Sequence, residues 1–194
     1  MKLTFVLLMI VSAVSLIGCG RKPPAGDAPS TTPVNMPDWY VSPPHNQDYL
    51  YATATSMSRD KQLAIDKATQ RAHLDLASRI SAWFKDLTKK FDEEAKFSED
   101  PGLTNDFSRI INSLISMTLR APTIKNQDIQ VEGTIYRAYI LMELPLGPYN
   151  AALLEKINAN QRLRARLGSS RTYNELAKQA EKYKQQNQGQ NELR

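Results

Sequence analysis

Between Asp60 and Phe91 the chain has neither proline nor glycine, and apolar residues recur at intervals of three and four. The stripe runs Ile65, Ala68, Ala72, Leu76, Ile80, Trp83 or Phe84, Leu87 and Phe91, which places it along one face of an α-helix. Ser58 or Asp60 can cap the start. A helix over this stretch extends about 48 Å at 1.5 Å per residue, so it must overhang any small sheet it packs on. Its first half is narrow, with Ala64, Ala68 and Ala72 in line, and suits tight contact with a sheet. Its second half is broad and aromatic and needs another element to cover it.

The flanking segments supply that sheet. Tyr49 to Ser56 alternates, with Leu50, Ala52 and Ala54 on one face and Tyr49, Tyr51, Thr53 and Thr55 on the other; this is a strand pattern. Before it, Asp38-Trp39-Tyr40 and Pro43-Pro44 suggest a segment docked on the domain surface. After Pro101-Gly102 a second helix is expected over Leu103 to Leu119, with Phe107, Ile110, Ile111, Leu114 and Ile115 inward, ended by Ala121-Pro122. Thr123 to Val131 and Thr134 to Leu144 read as two strands joined at Glu132-Gly133, the second apolar enough to be central. A helix over Tyr149 to Leu167 follows, and Thr172-x-x-Glu175 resembles a capping box for a last one. The order β-α-α-β-β-α predicts an α+β fold. Its three-stranded antiparallel sheet would carry long helices on one face, followed by a helical C-terminal arm.

The N-terminus predicts an address. Lys2 precedes an apolar run from Leu3 to Ile17, which reads as a secretory signal peptide; the run is shorter than the roughly 20 residues a spanning helix needs. It closes on Leu16-Ile17-Gly18-Cys19, which resembles the lipobox of bacterial lipoproteins. The resemblance implies cleavage before Cys19 and attachment of a diacylglyceryl group, with palmitate-type chains, to that residue. The plain alternative is an export signal followed by an incidental cysteine. Cys19 is the sole cysteine, so no internal disulfide can form. Two or more acyl chains give stable anchoring. Gly20, where an aspartate would favour the inner membrane, implies the outer membrane, with the protein facing the periplasm or the cell surface. Residues 19–38 hold Pro23, Pro24, Pro29, Pro33 and Pro37 and form a linker that could reach roughly 60 Å. The expected organisation is a signal peptide at 1–18, this linker, a folded domain at 39–167, and a basic arm with a disordered tail at 168–194.

Charge is uneven. Residues 158–194 carry eight Lys or Arg against three acidic residues, whereas the rest of the exported chain is nearly balanced. Arg162, Arg164, Arg166 and Arg171 are the densest cluster. Export makes nucleic acid a poor partner, which leaves a solvated helix or contact with acidic partners. The last helix has only Leu176, Ala180 and Tyr183 as a stripe. Tyr183 and the arginines are therefore candidate interaction residues, and residues 168–194 are expected to lie outside the core.

The run Pro37-Asp38-Trp39-Tyr40-Val41-Ser42-Pro43-Pro44, a strand, and then Ala64-x3-Ala68-x3-Ala72-x3-Leu76-Ala77-x2-Ile80 resembles the LPP-twenty family of outer-membrane lipoproteins over roughly residues 37–145. Members open with Pro-x-Trp and a strand, then an alanine-rich helix and a hairpin. In this chain His73 stands where an arginine is frequent, and the strand lacks the usual glycine. The resemblance implies a domain found in surface antigens and in flagellar outer-membrane assemblies, and it carries no catalytic residues.

Motifs for chemistry are absent. His45 and His73 have no cysteine or paired carboxylates at ligand spacing, and Asp92-Glu93-Glu94 reads as a solvated helix end. No nucleophile elbow, phosphate loop or zinc-protease motif occurs. The chain is expected to be no enzyme and to use no cofactor. The sequence favours an envelope lipoprotein with a structural or assembly role, as a homo-oligomer or docked on envelope proteins. The alternative is a periplasmic binding module for a small ligand or wall polymer, with Tyr49, Tyr51, Tyr136 and Tyr139 lining an uncovered sheet face.

Overall fold

A computed structural model describes residues 35–118 and 122–191. The expected signal peptide, Cys19 and the expected linker up to residue 34 lie outside the described residues, as does Ala121. Chain order is α1 (Asp38–Val41), β1 (Tyr49–Ser58), α2 (Lys61–Ala95), a 3-10 turn (Phe97–Glu99), α3 (Pro101–Thr118), β2 (Thr123–Glu132), β3 (Ile135–Pro145), α4 (Gly147–Ala159), α5 (Gln161–Leu167) and α6 (Arg171–Asn191). The sheet is antiparallel throughout in the order β1-β3-β2. The α+β architecture, the central place of β3 and the helical arm all match the sequence reading.

Alternation in β1 and the alanine row of α2 meet as expected. Ala64, Ala68 and Ala72 are fully buried against Ala52, Ala54 and Ala138. Small side chains on both surfaces let the helix axis approach the sheet closely. Beyond the sheet, Phe84, Leu87 and Phe91 are buried. Phe107 of α3 meets the rings of Phe91 and Phe97 at 5.6 and 5.1 Å. Asp60 caps α2 by accepting from the Leu63 amide at 2.7 Å, as expected. The hairpin turn is Gly133-Thr134, one residue later than the sequence suggests, and Gly133 takes φ 61°, which favours glycine.

Three expectations are corrected. The single helix over 149–167 is two, because Asn160 leaves helical geometry and caps α5, its side chain accepting from the Leu163 amide at 3.1 Å. The Asn160 amide also donates to Asp106 of α3 at 3.1 Å, which holds the break in place. The last helix is capped by Ser170, which accepts from the Tyr173 amide at 3.1 Å, and not by a Thr172–Glu175 box; Glu175 pairs with Arg171 instead. The third correction concerns the arm. Residues Met36–Arg194 form one compact unit, with Leu176 and Ala180 buried and the α6 helix continuing to Asn191. Its narrow stripe suffices because α4 supplies the complementary surface.

Candidate functional site

Three of the four arginines are brought against acidic residues of their own chain. Asp92, Glu94, Glu99 and Asp100 sit where α2 turns into α3, and α5 lies beside that corner. Arg162 pairs with Asp100 at 2.7 Å, and Arg166 reaches the Lys96 carbonyl at 3.1 Å and Glu99 at 3.9 Å. Arg171 pairs with Glu175 at 2.8 Å. Arg164 is exposed and makes no ion pair among the described residues. The Glu94 carboxylate closes the clasp, accepting from the Thr172 amide at 3.0 Å and the Thr172 hydroxyl at 2.8 Å. The acidic run and the basic cluster, read separately in the sequence, are thus partners. No sequence signal linked them, since they lie some 70 residues apart.

Hydrogen bonds to Asp92, Glu94 and Asp100 hold their pKa values below the ordinary range. For Glu94 the leading cause is the Thr172 amide, for Asp92 the Ser98 amide, and for Asp100 the Leu103 amide. A carboxylate whose pKa is lower folded than unfolded contributes stability above its unfolded pKa, near 4, and loses it as pH falls through the folded value. The urea midpoint should therefore fall as pH drops from about 5 towards 3. Glu94→Gln should lower the midpoint at neutral pH and flatten part of the acid dependence. An acid profile identical in the two proteins would contradict the clasp.

Tyr183 is also internal. The Gly147 Cα packs directly on the Tyr183 side chain, and a Cβ there would overlap Tyr183 Cβ and Cγ. Asn150 of α4 donates to Gln179 of α6 at 3.0 Å, and Lys182 donates to Asp48 at 2.6 Å. Glycine at 147 is the one sequence mark of this close approach.

Register decides the tyrosines. Thr55 pairs with Tyr139 and Tyr51 with Glu143, so Tyr49, Tyr51 and Tyr139 share the face away from α2. Tyr136 lies on the helix side, packed against the core, which corrects the expected set of four. That face is roofed in its middle by α1. Tyr40 meets Tyr139 edge-on at 4.9 Å, and both Tyr139 and Leu141 are buried. Burial raises the Tyr139 pKa. At one corner Tyr49 and Tyr51 stack at 6.1 Å, with Lys125 Nζ 5.2 Å from the Tyr51 ring and 2.6 Å from Glu143. The middle of that face is therefore covered.

A groove of about 590 Å³ runs between α4 and α6, lined by Ala151, Ala152, Tyr173 and Ala177 among others. Along β2, Ile124 and Val131 turn to the same side as the helices, opposite Met142 and Tyr136. α2 covers β1 and β3 but stops short of this strand. Val131 is 66% exposed and Ile124 44%, and the exposed Gln127 lies between them on the same face.

Among the described residues no group of three or more His, Cys, Asp or Glu could hold a metal ion, and no helix is long and apolar enough to cross a membrane. His73 sits half-buried on the flank of α2, and His45 is exposed. No protein-family model matches the chain, and no curated protein matches it.

Proposed function

We propose that this protein is an outer-membrane lipoprotein of LPP-twenty type, anchored through Cys19, whose domain serves assembly by joining copies of itself or other envelope proteins. The observation that supports the reading is the pair of exposed apolar side chains on β2, Ile124 and Val131, on sheet face that α2 does not cover, in a chain with a lipobox-like sequence. On that face α2 covers β1 and β3 with its buried residues from Ala64 onward. A domain tethered at a membrane meets neighbouring copies at high effective concentration. Modest affinity per contact then suffices for assembly.

Two measurements test this. In cell fractionation with detergent-free washing, the wild-type protein should stay in the membrane pellet and Cys19→Ala should move to the soluble fraction; a mutant still firmly in the pellet ends the lipoprotein reading. The soluble Cys19→Ala protein should have a solution mass above that of a monomer, and adding Val131→Lys should lower it. A monomer in both would end the assembly reading and leave the anchor standing.

A further inference from the structure

Strand β1 lies at the other edge of the sheet, and the ladder fixes which of its amides are engaged. The Leu146 amide donates to the Asp48 carbonyl at 2.8 Å, one step beyond the Tyr49–Pro145 pair. In an antiparallel ladder one residue bonds to the partner strand and the next turns both its groups away. Leu50, Ala52, Ala54 and Ser56 therefore bond to β3, and Thr53, Thr55 and Met57 turn N–H and C=O to the edge. Among the described residues, Arg71 Nη1 holds the Thr55 carbonyl at 3.0 Å. The Tyr49 end of this edge is closed by α6, where Lys182, Tyr183 and Gln186 line a small gap beside Asp48 and Tyr49. The Met57 end opens into a groove of about 360 Å³ lined by Thr55, Ser56, Met57, Lys67, Arg71 and Arg137.

We infer that this edge receives an extended acidic segment of another protein as a fourth strand. The main chain of that segment pairs with Thr53, Met57 and the Thr55 amide, the Thr55 carbonyl keeping its bond from Arg71, and carboxylates at alternate positions meet Lys67 and Arg71. Strand addition of this kind takes its affinity from backbone hydrogen bonds and its specificity from side chains at alternate positions. The spacing fits. Lys67 and Arg71 are one helical turn apart, about 5–6 Å, and alternate side chains of a strand lie roughly 6.7 Å apart. The charge fits as well. Three cations and no acidic residue line the groove; Arg137 is already paired with Glu132, and exposed Lys67 makes no ion pair among the described residues. The opposite edge lacks this fit, since β2 carries Lys125 and a register shift between Ile124 and Asn126, the features that blunt a strand edge.

The test is fluorescence anisotropy on the full-length protein in detergent micelles. The probe is a short fluorescein-labelled peptide of alternating glutamate and threonine. Its controls are the same peptide with lysine for glutamate, a version N-methylated at alternate amides, and inorganic phosphate as competitor. The acidic peptide should bind saturably, and Lys67→Glu should weaken it about tenfold, as expected for loss of a charge-assisted contact. N-methylation should abolish binding, and phosphate should not displace the probe. Lys67→Ala, milder in charge, should weaken it less than Lys67→Glu; circular dichroism of both variants should match the wild type. No binding of the acidic peptide, equal binding of the lysine peptide, or unchanged affinity in Lys67→Glu overturns the proposal. Displacement by phosphate together with retained binding of the N-methylated peptide reduces the groove to an anion site and overturns strand addition. The result does not depend on whether Cys19 carries lipid.

Discussion

Truncation after Leu167 should lower the thermal midpoint of the protein by about 10–20 °C, the shift expected when a domain of this size loses roughly 4–6 kcal/mol. The loss has identifiable parts. Burying one leucine side chain contributes about 1.5–3 kcal/mol, and Leu176 is buried at the centre of the α4–α6 contact. Removing α6 also uncovers Leu154 and Ile157 of α4, which are buried in the intact chain. The Glu94–Thr172 bonds and the Asn150–Gln179 bond go with it, leaving Asn150 in place without its partner. Differential scanning calorimetry gives the midpoint directly. Leu176→Ala alone should cost about 2–3 kcal/mol, the lower part of the range for such a change in a core. A truncated protein with an unchanged midpoint would mean that α6 is an appendage after all.

The contrast between the two ends of the chain explains what the sequence made legible. The α2 stripe was readable because every residue in it faces one continuous surface, so periodicity alone identifies Ala64 through Phe91 as buried. The β1 alternation and the apolar run in β3 were readable for the same reason. The α6 stripe was misjudged because Leu176 and Ala180 are too few to bury a helix on their own; what completes the surface is α4, whose Gly147 and Asn150 carry no hydrophobic signal. The roof over Tyr139 was half legible. Trp39 and Tyr40 after a proline-rich stretch announce a docked segment, but which strand they dock on depends on register, and register was not fixed until Thr55 was seen opposite Tyr139. The arginine clasp was not legible at all, because charge pairing between distant segments leaves no local pattern. The β1 edge with Lys67 and Arg71 was missed because two cations a turn apart on a helix ordinarily mark a solvated face. Strand order and ladder parity place them beside the edge of β1.

The alanine row offers the sharpest test of how helix and sheet meet. Ala68→Leu should destabilise the domain by about 3 kcal/mol, at the upper end of the range for overpacking a well-packed core. Ala68 has no exposed surface, its neighbours along the helix are Ala64 and Ala72, and the strands beneath present Ala52, Ala54 and Ala138. Each of those side chains ends at Cβ, so none has a terminal group that could rotate aside. The extra carbons can be accommodated only by lifting α2 off the sheet, which would also loosen the contacts of Leu76 and Ile80 further along the same face. Helix propensity cannot account for such a loss, because alanine and leucine differ by only a few tenths of a kcal/mol in a helix. Ser78→Leu, on the exposed face of α2, supplies the control and should change stability by less than about 0.5 kcal/mol. Urea unfolding of the three proteins at one pH measures the difference, with the slope unchanged if the unfolded states are alike. Equal midpoints for Ala68→Leu and Ser78→Leu would mean that the alanine row does not press on the sheet, and the close approach of α2 to β1 and β3 would then have to be abandoned.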